Sequence, residues 1–465
     1  MCNALFYYYV FSLLFSYCLI VTVNIPLVKD SWYTESMKTN DNSIIFHIDV
    51  NSAFLSWTAQ DELEKGSEVD LRTIPSIIGG DIQSRHGVVL AKSIPAKAYH
   101  IKTGEPVMTA LRKCPGLTVH KPDHALYDRR SHQLMDYLRS VCPDIEQVSI
   151  DECYMDYTPI CHQFADPVTA ATLIKDTVRE RFGFTVNVGI SDRKVLAKMA
   201  SDFEKPDKVH TLYSREIREK MWPLPVSRLF SCGGSSVDTL RKLEILTIGD
   251  LAKADVHILE LHLKSHGRTL WEFANGMDAS RVASVREDAK GVGNSSTFSQ
   301  NVDTEEAARK ELLVLSESVC RRLRRAGKKA SMVSTEIKYS DFRTASHQTT
   351  LEHSSNSTDV IYKTACRLFS EIWSGDPVRL LGVRTSRLED ADAPEQLDLF
   401  SYMEEMPYHK KETAIPSPAL SAEKQRKLDQ ALDSIRERYG TAAITRGSLL
   451  EQWTKKSAME DSTAD

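Results

Sequence analysis

Three carboxylates stand where a chain rarely keeps them without a partner. Asp151 and Glu152 are adjacent, between the apolar-rich stretches Val148-Ser149-Ile150 and Cys153-Tyr154-Met155, and Asp49 closes the run Ile44 to Ile48. Both stretches read as strand. Burying an ionised carboxylate alone costs several kcal/mol, so such groups neutralise, pair with a cation or bind a metal. Neighbouring strand side chains point to opposite faces, so Asp151 and Glu152 converge only at a bend or hairpin tip. There, with Asp49, they would suit hard divalent ions such as Mg²⁺. Two ions about 3.5–4 Å apart activate an attacking hydroxyl and stabilise a leaving oxygen in phosphoryl transfer. Taken alone, an Asp-Glu dipeptide is more often an ordinary surface turn.

The wider pattern changes that balance. The segments Phe46 to Phe54 (FHIDVNSAF), Ser149 to Glu152 (SIDE), Asn187 to Ser191 (NVGIS) and Val195 to Ala200 (VLAKMA) leading to Lys205-Pro206 occur in this order. In order and spacing they resemble the bacterial Y-family translesion DNA polymerases, from about Ile44 to Leu388. Within that family, Ala91 to Lys97 (AKSIPAK) and the tail look closer to the polymerase V catalytic subunit than to polymerase IV. The resemblance implies that Asp49, Asp151 and Glu152 hold two Mg²⁺ ions with the Val50 carbonyl, and that Glu152 sits nearest the primer hydroxyl. It also implies that Phe54 is the steric gate, whose ring would exclude a ribose 2′-hydroxyl; by itself Phe54 reads as a core aromatic opening a helix through Trp57.

A triphosphate calls for pre-positioned cations. Lys97 and Lys205 are the candidates, with the Ser93 hydroxyl as a further donor. Many family members carry Tyr and Arg where this chain has Ile94 and Lys97, and a lysine cannot supply the bidentate guanidinium fork. Without the resemblance, Lys205 reads equally as a solvated lysine at the end of a helix over 193–203.

The resemblance implies that these residues are positioned by an α+β, multidomain, right-hand polymerase architecture. The palm, residues 44–52 and 124–212, would be an antiparallel sheet with strands near 44–50, 147–156 and 185–191 and helices on one face. One helix is marked by Asp166 as N-cap, Pro167 at its first position and Gly183 as its stop. Residues 53–123 would be small fingers, leaving an open site that tolerates damaged templates and forfeits discrimination. Residues 213–280 would be a helical thumb, in which Gly233 and Gly234 precede the helix Asp238 to Leu243, resemble a helix-hairpin-helix phosphate contact and equally suit a plain turn. Residues 290–388 would be an α/β little finger with strands near 292–299, 331–339, 346–352 and 379–388.

The net charge of −5 hides an asymmetry, because residues 389–465 sum to −6 and residues 290–388 to +5. Arg321, Arg322, Arg324, Arg325, Lys328 and Lys329 make a basic patch for sequence-independent contact with primer-template DNA. In the tail, Gln396-Leu397-Asp398-Leu399-Phe400 resembles a sliding-clamp-binding peptide, and Lys424 to Tyr439 has helical spacing that fits docking on the core or on a partner. The nine cysteines lack CxxC pairs, so Cys142 and Cys153 read as reduced and structural. Residues 4–24 are uncharged and long enough for a membrane span, yet lack a basic flank before them and a cleavage site after them. We therefore expect translation to start at Met37, residues 1–36 to lie outside the core, and a cytoplasmic protein with a monomeric core. The expected activity is low-fidelity, template-directed addition of dNTPs to a primer 3′-hydroxyl. The alternatives are a catalytically weak DNA- and clamp-binding accessory protein and, less in keeping with the basic region, another palm-type enzyme such as a nucleotide cyclase.

Overall fold

The computed structural model describes residues 43–80, 87–285, 288–393, 418–440 and 443–447. The clamp-like peptide at 396–400 and the apolar N-terminal run lie outside the described residues. The chain divides into two compact units: residues 1–78, 91–101 and 116–286, and residues 79–90, 102–115 and 287–465.

In the first unit, β1 (Ile45–Val50) runs into α1 (Ala53–Glu64). Then come β2 (Ser76–Gly79), β3 (Val89–Lys92), α2 (Ile94–Ala98), α3 (Val107–Lys113) and β4 (Thr118–His120), parts of which belong to the second unit. The main sheet is completed by α4 (His124–Val141), β5 (Ile145–Gln147), β6 (Glu152–Asp156), α5 (Pro167–Phe182), β7 (Val186–Ser191), α6 (Lys194–Ser201) and β8 (Val209–Thr211). Its strand order is β5-β6-β1-β7-β8, antiparallel except for the β7–β8 pair.

The expected strand over 147–156 is in fact a hairpin. Residues 148–151 form the turn between β5 and β6, with the Val148 and Ser149 amides donating to the Glu152 carbonyl at 3.1 and 3.3 Å. The expectation of helices on one face is also too simple, since β1 and β7 are buried along their whole length. On the face carrying Ile45 and Tyr154 the cover comes from α6, through Ala197. The close approach needs Gly189, where a Cβ would run into the Ala197 carbonyl oxygen. The α5 signals hold: Asp166 accepts from the Val168 and Thr169 amides, and Gly183 ends the helix at φ 72°.

Four short helices follow: α7 (Gly234–Lys242), α8 (Ile248–Lys253), α9 (Val256–Leu263) and α10 (Ser265–Ala274). They share one core with α6, around Leu240, Ile248, Leu251, Leu259 and Leu270.

The second unit holds a separate antiparallel sheet. Its elements are β9 (Gly291–Val302), α11 (Glu305–Arg325), β10 (Lys328–Tyr339), β11 (Thr344–Ser355), α12 (Thr358–Ile372) and β12 (Val378–Asp390), with strand order β11-β10-β12-β9. Leu312, Leu315, Ile361 and Phe369 from the helices close over Val333, Ile337 and Leu381 from the sheet. The last helix, α13 (Pro418–Tyr439), docks on this unit. Asp433 pairs with Arg324 at 2.6 Å, and Asp429 accepts from the Thr358 amide at the start of α12 at 3.0 Å. Arg436 and Arg446 both reach Glu317. No helix among the described residues is long and apolar enough to cross a membrane.

Candidate active site

Strand register assembles the site. Asp49 on β1 lies opposite Glu152 on β6 and opposite Asn187 on β7, so Glu152, Asp49 and Asn187 form one row across three strands. Asp151 sits one residue before, on the hairpin turn, and its carbonyl accepts from the Val50 amide at 3.0 Å. The turn lets adjacent carboxylates approach one end of the sheet, which a continuous strand would forbid.

Each carboxylate has a distinct electrostatic setting. His47, two residues before Asp49 and on the same face, brings Nε2 within 3.3 Å of Glu152, while its Nδ1 lies 2.8 Å from Ser201 Oγ. That hydrogen bond, joined by the Lys198 ammonium at 2.7 Å, outweighs burial and holds the Glu152 carboxyl down at about 2. Burial lowers His47 against the hydrogen bond to Glu152 and the charge of Asp49. Burial pushes Asp151 up, and the charges of Asp49 and Glu152 add to the rise against a 2.6 Å hydrogen bond from Ser149. Lys205 pairs with Asp49 and, at 2.8 Å, with Asp202. Burial opposes its charge, yet Asp49 and Asp202 prevail and raise it.

An oxygen-only donor set in which Asp151 is raised by burial and by the charge of its neighbours is the kind that hard divalent cations relieve. As they stand, the three do not close into a ligand cage among the described residues. Glu152 is turned to His47 and Lys198, and Asp49 to Lys205.

Beside the carboxylates lies a cavity of about 230 Å³, lined by residues that include Asn51, Ser52, Ser93, Ile94, Lys97 and Lys205. Lys97 on α2 is exposed at its wall, with Ile94 as an open apolar neighbour. Arg72 also reaches the cavity, but its guanidinium is held by Asp70 and by the Gly183 carbonyl. The Ser93 expectation needs correction. Its hydroxyl donates to the Ile74 carbonyl at 2.8 Å and accepts from the Ala96 and Ser76 amides, so it caps α2, ties it to the start of β2 and has no proton left for a phosphate. Phe54 is half-buried, stacked on Tyr127 at 4.5 Å, while its neighbours Ser52 and Leu55 line the cavity.

The basic patch also divides. Arg324 is held by Asp433, Asp429 and the Asn356 carbonyl, so it serves the docking of α13 and is lost from the solvent face. Lys328 is pinned between Asp288 and Asp390. Arg322 donates to the Gly293 carbonyl yet stays exposed, as does Arg325; Arg321 and Lys329 are half-buried. At α7, Gly233 is the N-cap and Gly234 the first residue, and a Cβ at either meets open space.

Sequence reasoning missed His47, Lys198, Asn51 and the role of Asn187. Alternation could have found His47 and Asn51, each two residues from Asp49 on the same face.

Sequence models of the impB/mucB/samB family match residues 48–202, and those of its C-terminal domain match residues 289–399. The backbone resembles a chimaera of the Y-family DNA polymerases Dbh and Dpo4, with a TM-score of 0.66 at 21% identity over 74% of this chain and 99% of that one. The chain belongs to the impB/mucB/samB family, the Y-family DNA polymerases, and is a DNA-directed DNA polymerase of the translesion class. Its relatives include DNA polymerase IV of Clostridium acetobutylicum, 45% identical over 89% of this chain and all of that one. Others are DNA polymerase IV of Acetivibrio thermocellus, 35% identical over 88% and 98%, and DNA polymerase IV 1 of Bacillus subtilis, 35% over 89% and 94%. The chain thus groups with the polymerase IV enzymes, which corrects the expected leaning to the polymerase V branch. The short AKSIPAK segment and the tail, on which that leaning rested, weigh little against similarity along nearly the whole chain.

Proposed function

We propose that Asp49, Asp151 and Glu152, with the Val50 carbonyl, hold two Mg²⁺ ions for nucleotidyl transfer, and that the adjoining cavity takes the triphosphate of a dNTP. The observation that carries this reading is the convergence of the Glu152–Asp49 row and the Asp151 turn beside a cavity lined by Lys97 and Lys205. When bound, the ions supply activation of the primer hydroxyl and charge neutralisation at the leaving pyrophosphate. The protein's own part is positional. Glu152 is kept ionised by His47 and Lys198, Lys97 and Lys205 offer charge to the phosphates, and Phe54 gates the sugar from the α1 side.

Exposed Arg322 and Arg325, together with Arg321, Lys329 and the glycine-led start of α7, would contact primer-template backbone. Residues 396–400 would recruit a sliding clamp to a cytoplasmic, nucleoid-associated enzyme with a monomeric core. Primer extension with Mg²⁺ on intact and lesion-bearing templates tests the core of this reading. Asp151→Ala should abolish extension on both; equal extension by the two proteins would refute the metal-site assignment.

A further inference from the structure

The segment carrying Lys205, residues 202–208, has no regular structure of its own. Two side-chain amides hold the backbone on both sides of Lys205. Asn187, fully buried on β7, donates through Nδ2 to the Ser201 and Glu204 carbonyls at 3.0 and 2.7 Å. Its Oδ1 accepts from the Lys208 amide at 3.2 Å and from Asn51 Nδ2 at 3.1 Å. Asn51, at the end of β1, accepts through Oδ1 from the Asp207 amide at 2.9 Å and the Thr185 hydroxyl at 3.0 Å. Both Nδ2 donors of Asn187 end on carbonyls and its oxygen takes two N–H groups, so the amide orientation is unique and all four of its bonds are made.

This is more than a satisfied interior. The two amides stand on the strands that align Asp49 with Asn187, so one rigid register fixes both the carboxylate row and the backbone on either side of Lys205. A lysine stem is flexible, and where its ammonium reaches is set by where its backbone is held. Asp207, at φ 60°, is pinned further by Lys175 at 3.0 Å and Arg179 at 2.6 Å from α5.

We propose that Asn51 and Asn187 are positioning residues that latch the 202–208 segment and so place Lys205 at the triphosphate cavity. The inference rests on the reading of Lys205 as a triphosphate-binding cation. Asn187→Asp replaces two donors with lone pairs facing two carbonyls, and Asn51→Ala removes the Asp207 and Thr185 acceptor while leaving Asn187's bonds to Ser201, Glu204 and Lys208.

The test is steady-state single-nucleotide insertion, with KM for dNTP and kcat measured for both variants, for Lys205→Ala, and for each variant combined with Lys205→Ala. Primer-template affinity without dNTP is measured alongside, to report an intact fold. Each single variant should raise KM for dNTP by about tenfold, a loss of one to two hydrogen bonds, with kcat changed less than KM and DNA affinity unchanged. In the Lys205→Ala background the same substitutions should add nothing. If Lys205→Ala leaves KM unchanged, the triphosphate reading of Lys205 fails and the latch fails with it. If Lys205→Ala raises KM but the substitutions still add their full effect, or lower kcat and DNA affinity equally, the latch alone is overturned. Should Asn187→Asp not fold, the Asn51→Ala cycle decides the matter by the same criteria.

Discussion

Asp151 and Glu152 are neighbours in sequence, yet their environments push their carboxyls in opposite directions. Glu152 is held down at about 2 by the His47 hydrogen bond and Lys198, so its folded pKa lies below the ordinary value of 4.5. A depressed carboxyl stabilises the fold above the ordinary value and loses that contribution as pH falls toward the folded one. Asp151 is raised, so its ionised form opposes folding at neutral pH and that opposition ends on protonation. Denaturant unfolding without added metal should therefore give opposite signs. Glu152→Gln should cost about 2 kcal/mol at pH 7, shrinking between pH 4.5 and 2, since one pKa unit corresponds to about 1.4 kcal/mol before screening. Asp151→Asn should stabilise at pH 7 and converge on the unsubstituted protein in acid. The same sign for both substitutions would show that the His47–Lys198 pairing of Glu152 is not energetically distinct. The sequence displayed the three carboxylates but not this division, because His47 and Lys198 reach Glu152 only through strand register and the packing of α6.

At the scale of elements, α13 resolves a choice that its helical spacing left open. It docks on its own unit, where Asp429, 2% exposed, joins the Thr358 amide to the Arg324 guanidinium. A half-removed buried ion pair costs more than the pair ever contributed, because the remaining charge loses its partner. Asp429→Ala should therefore destabilise the 287–465 unit by about 3 kcal/mol. Hydrogen exchange should show lost protection at the start of α12 and along the 324–328 segment. An unfolding curve and exchange pattern like those of the unsubstituted protein would mean the α13 contacts carry no stability. Read along the chain, Arg324 belongs to a row of six basic residues. Helical geometry alone cannot say which arginine of such a row turns inward, and the acidic face of α13 supplies the answer.

On the scale of the whole molecule, the acidic stretch after residue 388 carries the clamp-like peptide between β12 and α13. Tethering a polymerase to a clamp raises its effective concentration at the primer end without changing its chemistry. Deleting residues 396–400 should abolish clamp-stimulated synthesis in a processivity assay and leave distributive single-nucleotide insertion intact. Undiminished stimulation would refute the clamp assignment, and loss of distributive activity would make the segment part of the catalytic body.

The sequence by itself determined the carboxylate set, the order of its motifs, the family, the capped α5 helix and the strand and helix segments of the second sheet domain. Each of these is written in local spacing: strand alternation, an N-cap with proline and glycine, and contiguous motifs. Only the tertiary structure decided that the bend falls at residues 148–151, that Ser93 spends its hydroxyl on a cap, that Arg324 pairs inward, and that Asn51 and Asn187 hold Lys205's segment. Those outcomes depend on partners up to more than a hundred residues away, Asn51 and Asn187 being separated by 136 positions. A side chain's chemistry is fixed by its type, but which of its bonds remain for a substrate is fixed by what folds against it.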